Sequence, residues 1–200
     1  VSEREVAAPP SVWNLPNALT MLRILLVPVV GVLLWQQTTT SRIWATAAFV
    51  LAALTDRWDG QIARKRGLIT RFGTMADTFA DKALVIAAVV LLSMIGELGW
   101  WVTIVITVRE IGIAILKGAL SRRHLMAPSR GGKLKAVLQM VGLSVLLPDW
   151  VGLLGATVGG WVHTLGLVIV YAAVLVAVVT ALDYVMKAWR IVRTGDAPGD

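Results

Sequence analysis

The sequence predicts an all-α integral membrane bundle of six transmembrane helices with both termini cytoplasmic. Three observations carry this. Of 200 residues, 57% are hydrophobic and the mean hydropathy is +0.75, well beyond what a water-soluble core needs. The apolar residues come in successive long runs, and in lipid a run must satisfy its own backbone hydrogen bonds, which favours helices. The Lys and Arg residues, which give a net charge of +7, gather in alternate connections, as the positive-inside rule requires of a cytoplasmic face.

The predicted spans are 18–36, 43–64, 72–95, 100–120, 134–148 and 161–187, within a single domain over 1–200. Residues 1–13 form a juxtamembrane segment and 188–200 a cytoplasmic tail. Asn14-Leu-Pro16-Asn17 supplies capping and Pro-at-start signals for the first span. That span carries Asn17, Thr20 and Arg23 and lacks a small-residue cleavage site, so it is expected to be retained rather than removed as a signal peptide. Arg57, Arg64, Lys65, Arg66 and Arg71 surround the second connection, and Arg122, Arg123, Arg130, Lys133 and Lys135 the fourth. Lys187, Arg190 and Arg193 follow the last span, while the first, third and fifth connections offer only Arg42. This excess is read as facing a membrane surface rather than nucleic acid. Gly131-Gly132 is expected to break helix before the fifth span and Gly159-Gly160 before the sixth. Trp35, Trp44, Trp100, Trp101, Trp150 and Trp161 fall near outer ends, as an interfacial belt would. His124 and His163 lie on opposite sides of the membrane and cannot share a metal, and His163 is expected at the interface. Without cysteine, disulfides and thiolate metal sites are excluded.

Chemistry concentrates between positions 56 and 81. Asp56, Asp59, Gly60 and Ala63 share one helix face at i, i+3, i+4 and i+7, and Gly73, Asp77 and Asp81 share another at i, i+4 and i+8. A short connection makes the two helices antiparallel neighbours whose faces can converge. An ionised carboxylate deep in a bilayer costs about 2.5–3.5 kcal/mol, so four together require a positive ligand. A set of oxygen donors alone suits hard divalent cations, Mg2+ or Mn2+, and two such ions offset the formal charge. A metal pair can clamp the attacking and leaving oxygens of an in-line phosphoryl displacement. Gly60, Ala63 and Gly73 leave room for a ligand to approach the backbone, and Arg64 can meet phosphate oxygens. Asn17, Thr20 and Arg23 share a face and can reach the same ligand. Arg109, deep in the fourth span, needs an interior partner. Glu110 is adjacent in sequence and points elsewhere on the helix, so a phosphate is the better candidate. Arg130, Lys133 and Lys135 can form a pocket for an anionic acceptor, and the positive-inside bias alone explains basic residues there about as well.

The pattern Asp-x2-Asp-Gly-x2-Ala-Arg-x8-Gly-x3-Asp-x3-Asp is complete here. It resembles the signature of the CDP-alcohol phosphatidyltransferase family. The resemblance implies a six-helix membrane fold, usually a homodimer, that transfers a phosphatidyl group from CDP-diacylglycerol to an alcohol and releases CMP. It implies that Asp56, Asp59 and Asp77 hold the metals, and that Asp81 is the general base on the acceptor and a further metal ligand. It implies that Gly60, Ala63, Arg64, Thr70 and Gly73 line the CDP moiety. The segments Asn14–Arg23, Thr55-Asp56, Ile62–Lys65, Ala80–Lys82, Arg109-Glu110 and Gly132–Lys135 are similar to the branch using sn-glycerol 3-phosphate as acceptor. Thr78 and Ala76 depart from that branch, which commonly has Pro and Leu there. Rival readings keep the chemistry with phosphatidylglycerol or inositol phosphate as acceptor. A divalent-cation channel is the rival of another class, and the apolar outer halves of the spans argue against it.

Overall fold

Hydrophobic runs punctuated by capping residues become six helices: α1 (Leu15–Trp35), α2 (Thr39–Arg66), α3 (Arg71–Met94), α4 (Trp100–Leu120), α5 (Arg130–Leu146) and α6 (Trp150–Thr194). The computed structural model describes residues 15–66, 71–120 and 130–194. At positions 16, 56–66, 71–72, 74–75, 117, 119–120, 130, 190–192 and 194 it describes the backbone alone. Among the described residues there is no strand. Two helices are long and apolar enough by length and composition to cross a membrane, Asn17–Trp35 and Trp150–Trp189.

The helix starts follow from side-chain chemistry. Pro16 is the second residue of α1, where its missing N–H costs nothing. Before α2, Thr38 Oγ1 accepts from the Ser41 N–H at 3.1 Å and Ser41 Oγ accepts from the Thr38 N–H at 3.2 Å, a reciprocal cap. Before α6, Asp149 Oδ1 accepts from the Gly152 N–H at 2.9 Å, and Asp149 Oδ2 accepts from the Thr39 hydroxyl at 2.7 Å. One carboxylate thus caps α6 and ties it to the start of α2.

The glycine pairs do not break the helices as expected. Gly131-Gly132 lies in the first turn of α5, and Gly159-Gly160 lies inside α6. The interruption comes earlier, at Gly155, with φ 77° and ψ 168°, a backbone region essentially reserved for glycine. The kink folds the first turn of α6 back on itself. A Cβ on Gly159 would lie 2.3 Å from the Trp150 carbonyl oxygen, so the glycine serves close approach there rather than termination. At its other end α6 continues to Thr194, through the start of the expected tail.

Helix α1 packs on both α2 and α3, α5 lies along α6, and α4 bridges α3 and α6. Helices α2 and α3 also touch one another among the described residues, and α1 packs against both. Phe49, Leu84, Leu92, Ile106, Leu143 and Leu146 are fully buried at the centre. Polar side chains are buried too: Arg23 is 0% exposed and Gln139 1%, whereas Leu25 is 65% and Leu175 66% exposed. That is inverted from a soluble protein, whose charged groups face outward.

The end of the bundle near the α1–α2, α3–α4 and α5–α6 connections is held by Arg42. Its guanidinium donates to the carbonyls of Leu147 at 2.8 Å, Leu146 at 3.1 Å and Pro148 at 3.3 Å, satisfying the end of α5. It also pairs with Glu97. His163 Nε2 lies 2.8 Å from the other oxygen of Glu97, so the partly exposed His163 faces a carboxylate at this end of the bundle.

Candidate active site

Four elements carry the residues of interest to one region. On α1, Asn17, Thr20 and Arg23 are all buried, one polar stripe on an otherwise apolar helix. Arg23 donates to Asp77 Oδ1 on α3 at 2.8 Å. The guanidinium that was expected to reach a nucleotide therefore holds a carboxylate, and the Asp77 side chain remains 43% exposed. Asp81 follows one turn along α3 and is part-buried, and Gly73 is buried one turn before Asp77.

The side chains of Asp56, Asp59, Gly60, Ala63 and Arg64 and all of Thr70 lie outside the described residues, as does the Arg130 side chain. Their backbone, where described, runs in the last turns of α2 and opens α5. Among the described residues no group of three potential metal ligands is assembled. Asp77 and Asp81 are hard oxygen donors one helical turn apart, and the exposure of Asp77 leaves it accessible despite Arg23. This half of the donor set is compatible with Mg2+ or Mn2+.

Beside Asp81 the structure brings together residues from α4 and α5. A small cavity, about 260 Å³ including its open mouth, is lined by Asp81, Val85, Glu110, Lys135, Gln139 and Met140 among others. Lys135 is buried and its ammonium pairs with Glu110. Arg109 reaches the same Glu110 oxygen at 3.3 Å and donates to the Thr180 hydroxyl at 3.4 Å. The argument from adjacency that made Glu110 a poor partner for Arg109 thus fails. Neighbouring Cβ atoms diverge around a helix, but a guanidinium on its long stem can fold back to the next residue. Lys133 is exposed at the start of α5 and stands apart from this buried group. Glu110 and Gln139 are the residues that motif reasoning missed. Their signal was available: a carboxylate and an amide, each at a position otherwise expected to be apolar.

The pocket thus sets two lysines, Lys82 and Lys135, beside two carboxylates, Asp81 and Glu110. A family model described as CDP-alcohol phosphatidyltransferase matches residues 13–189. This chain belongs to the CDP-alcohol phosphatidyltransferase family. Among its relatives is the "Probable phosphatidylglycerophosphate synthase" of Mycobacterium tuberculosis (strain ATCC 25618 / H37Rv), 39% identical over 189 residues that cover 93% of this chain and 87% of that protein. The "CDP-diacylglycerol--glycerol-3-phosphate 3-phosphatidyltransferase" of Rickettsia typhi (strain ATCC VR-144 / Wilmington) is 35% identical over 86% of this chain and 94% of its own length. The protein of the same name from Shigella flexneri serotype 5b (strain 8401) is 34% identical over 88% of this chain and 95% of its own. Within this CDP-alcohol phosphatidyltransferase, the aspartate pattern lies on α2 and α3, Arg109 on α4, and Lys133 and Lys135 on α5.

Proposed function

We infer that the protein transfers a phosphatidyl group from CDP-diacylglycerol to sn-glycerol 3-phosphate, forming phosphatidylglycerophosphate and CMP. The observation that carries this reading is the shared cavity: Asp81, suited to take a proton, opens onto the same space as the buried Lys135 and Glu110. The names of the three relatives support the same donor and acceptor.

The acceptor's primary hydroxyl gives its proton to a carboxylate oxygen of Asp81. Its oxygen then forms a bond to the β-phosphorus of CDP-diacylglycerol. The bond from that phosphorus to the oxygen bridging the two phosphates breaks, and CMP departs with that oxygen and its electron pair. Arg23 fixes the orientation of Asp77. Asn17, Thr20, Gly60, Ala63, Arg64, Thr70 and Gly73 receive the CDP moiety. Asp56, Asp59, Asp77 and Asp81 would hold two Mg2+ or Mn2+ ions, which would supply neutralisation of the charge that develops on the phosphates.

Arg109 and Lys135, with Arg130 and Lys133 nearer the mouth, hold the acceptor phosphate. Arg109 supports this role: its buried Nε has no partner among the described residues, a donor left for an anion. We further read the bundle as a homodimer in the cell membrane, crossing it six times with both termini and the active site on the cytoplasmic side. The apolar exterior and buried polar interior support a lipid environment.

The test is an acceptor panel with purified protein and CDP-diacylglycerol, scored by CMP release. Glycerol 3-phosphate is expected to be the best acceptor and unphosphorylated glycerol a very poor one. Faster release with phosphatidylglycerol or inositol phosphate would overturn the acceptor assignment and leave the aspartate chemistry standing.

A further inference from the structure

Gln139 is 1% exposed, and neither its amide oxygen nor its amide nitrogen has a hydrogen-bond partner among the described residues. Buried polar atoms are satisfied in the great majority of cases, so two orphans on one side chain require an explanation. The amide lines the cavity that also holds Asp81, Glu110 and Lys135. Lys135 and Gln139 are four residues apart on α5, one turn on the same buried face.

We propose that Gln139 is a specificity-determining residue that binds the non-reacting hydroxyl of the acceptor. The inference rests on the reading of glycerol 3-phosphate as acceptor. That molecule brings three polar groups to the cavity. The phosphate is matched by Lys135, with Lys82 also on the lining and Arg109 behind it on the same Glu110 oxygen, and the primary hydroxyl by Asp81. The secondary hydroxyl between them remains, and it both donates and accepts a hydrogen bond. A carboxamide also offers both, through its NH2 and its carbonyl oxygen, where a lysine would only donate and a carboxylate only accept. Val85, Ala136 and Met140 contribute no polar side-chain atoms to the lining, and Lys82, like Lys135, only donates. A site built around such a hydroxyl rejects the analogue lacking it, because the buried amide is then left unpaired.

The experiment compares sn-glycerol 3-phosphate with 3-hydroxypropyl phosphate, which keeps the phosphate and the primary hydroxyl and lacks only the secondary one. kcat/KM is read from CMP release by the purified full-length protein with CDP-diacylglycerol. The parent should favour glycerol 3-phosphate by about ten- to a hundredfold, the loss expected from one or two hydrogen bonds. Gln139→Met should lower kcat/KM for glycerol 3-phosphate by a similar factor, with little change for 3-hydroxypropyl phosphate or in KM for CDP-diacylglycerol. An equal loss with both acceptors would show a packing role and overturn the proposal. Should the variant not fold, the parent decides alone: equal use of the two acceptors would mean that Gln139 reads no hydroxyl. If glycerol 3-phosphate is itself a poor acceptor beside phosphatidylglycerol or inositol phosphate, the underlying acceptor reading has failed, an outcome visible before any variant is made.

Discussion

At the scale of single residues, what already holds a charged group decides what it can still do. Asp77 is held at one oxygen by a fully buried Arg23, which suits a ligand that must keep its orientation while a cation comes and goes. Activity should require Mg2+ or Mn2+. Asp56→Asn, Asp59→Asn and Asp77→Asn should each shift its metal titration to higher concentration and remove most turnover at modest metal. Asp81→Asn should bind CDP-diacylglycerol and metal yet lose turnover by about 10²–10⁴, the usual yield of a general base. Near-normal turnover in Asp81→Asn would exclude that role. Lys135→Gln removes a charge-assisted contact to the acceptor phosphate, worth about 1.5–3 kcal/mol. It should raise KM for glycerol 3-phosphate about ten- to a hundredfold and leave KM for CDP-diacylglycerol nearly unchanged, measured by steady-state CMP release. The placing of Asp77 and Asp81 one turn apart on α3 was legible in the sequence because rigid helical spacing dictates which residues share a face. The Arg23–Asp77 and Lys135–Glu110 pairs were not, because each joins helices whose relative rotation no local pattern encodes.

At the scale of elements, the capping chemistry locates helix ends better than glycine does. The expected breaks at Gly131-Gly132 and Gly159-Gly160 rested on glycine's low helix propensity, about 1 kcal/mol, which tertiary packing readily overrides. The break at Gly155 follows from the folded first turn of α6, a tertiary feature. Asp149 ties that turn down. The Gly152 N–H, then the Thr39 hydroxyl, hold its carboxyl below the ordinary value of 3.8. A depressed folded pKa contributes stability that is fully present above the ordinary value and lost as pH falls through the folded one. Asp149→Ala should therefore cost about 0.5–2 kcal/mol near neutrality, as loss of an N-cap does. Asp149→Asn should keep the bond from Gly152 and replace the charge-assisted bond from Thr39 with a neutral one in which its NH2 donates to the Thr39 hydroxyl. Thermal melts of detergent-purified protein between about pH 6 and about pH 3 should show the parent's advantage over Asp149→Asn shrinking below the ordinary carboxylate value. An advantage constant through that window would exclude the ionised cap.

At the scale of the whole molecule, the sequence disclosed six helices more securely than six spans. Only α1 and α6 pass by length and composition. Helix α5 has 17 residues, α2 ends in the charged stretch Asp56–Arg66, and α4 carries Arg109 and Glu110 at mid-length. Arg109, Glu110 and Lys135 are turned inward, so hydropathy averaged along α4 or α5 understates how apolar the outer face is. Arg42 sharpens the same point. It was the one basic residue counted on the presumed outer side, yet it is 7% exposed and spent on the carbonyls of α5 and on Glu97. The surface at that end therefore shows no Lys or Arg among the described residues, while the opposite end carries Lys133, Lys187 and Arg193. By the positive-inside rule the first end is expected to face away from the cytoplasm. The chain has no cysteine, so single introduced thiols report without background. Gln36→Cys and Thr157→Cys, both exposed at the Arg42 end, should react with an impermeant maleimide in intact cells. Arg193→Cys, exposed near the end of α6, should react only after permeabilisation. Labelling of Arg193→Cys in intact cells with protection at Gln36→Cys and Thr157→Cys would invert the topology and put the aspartates on the side where CDP-diacylglycerol chemistry has no supply of nucleotide.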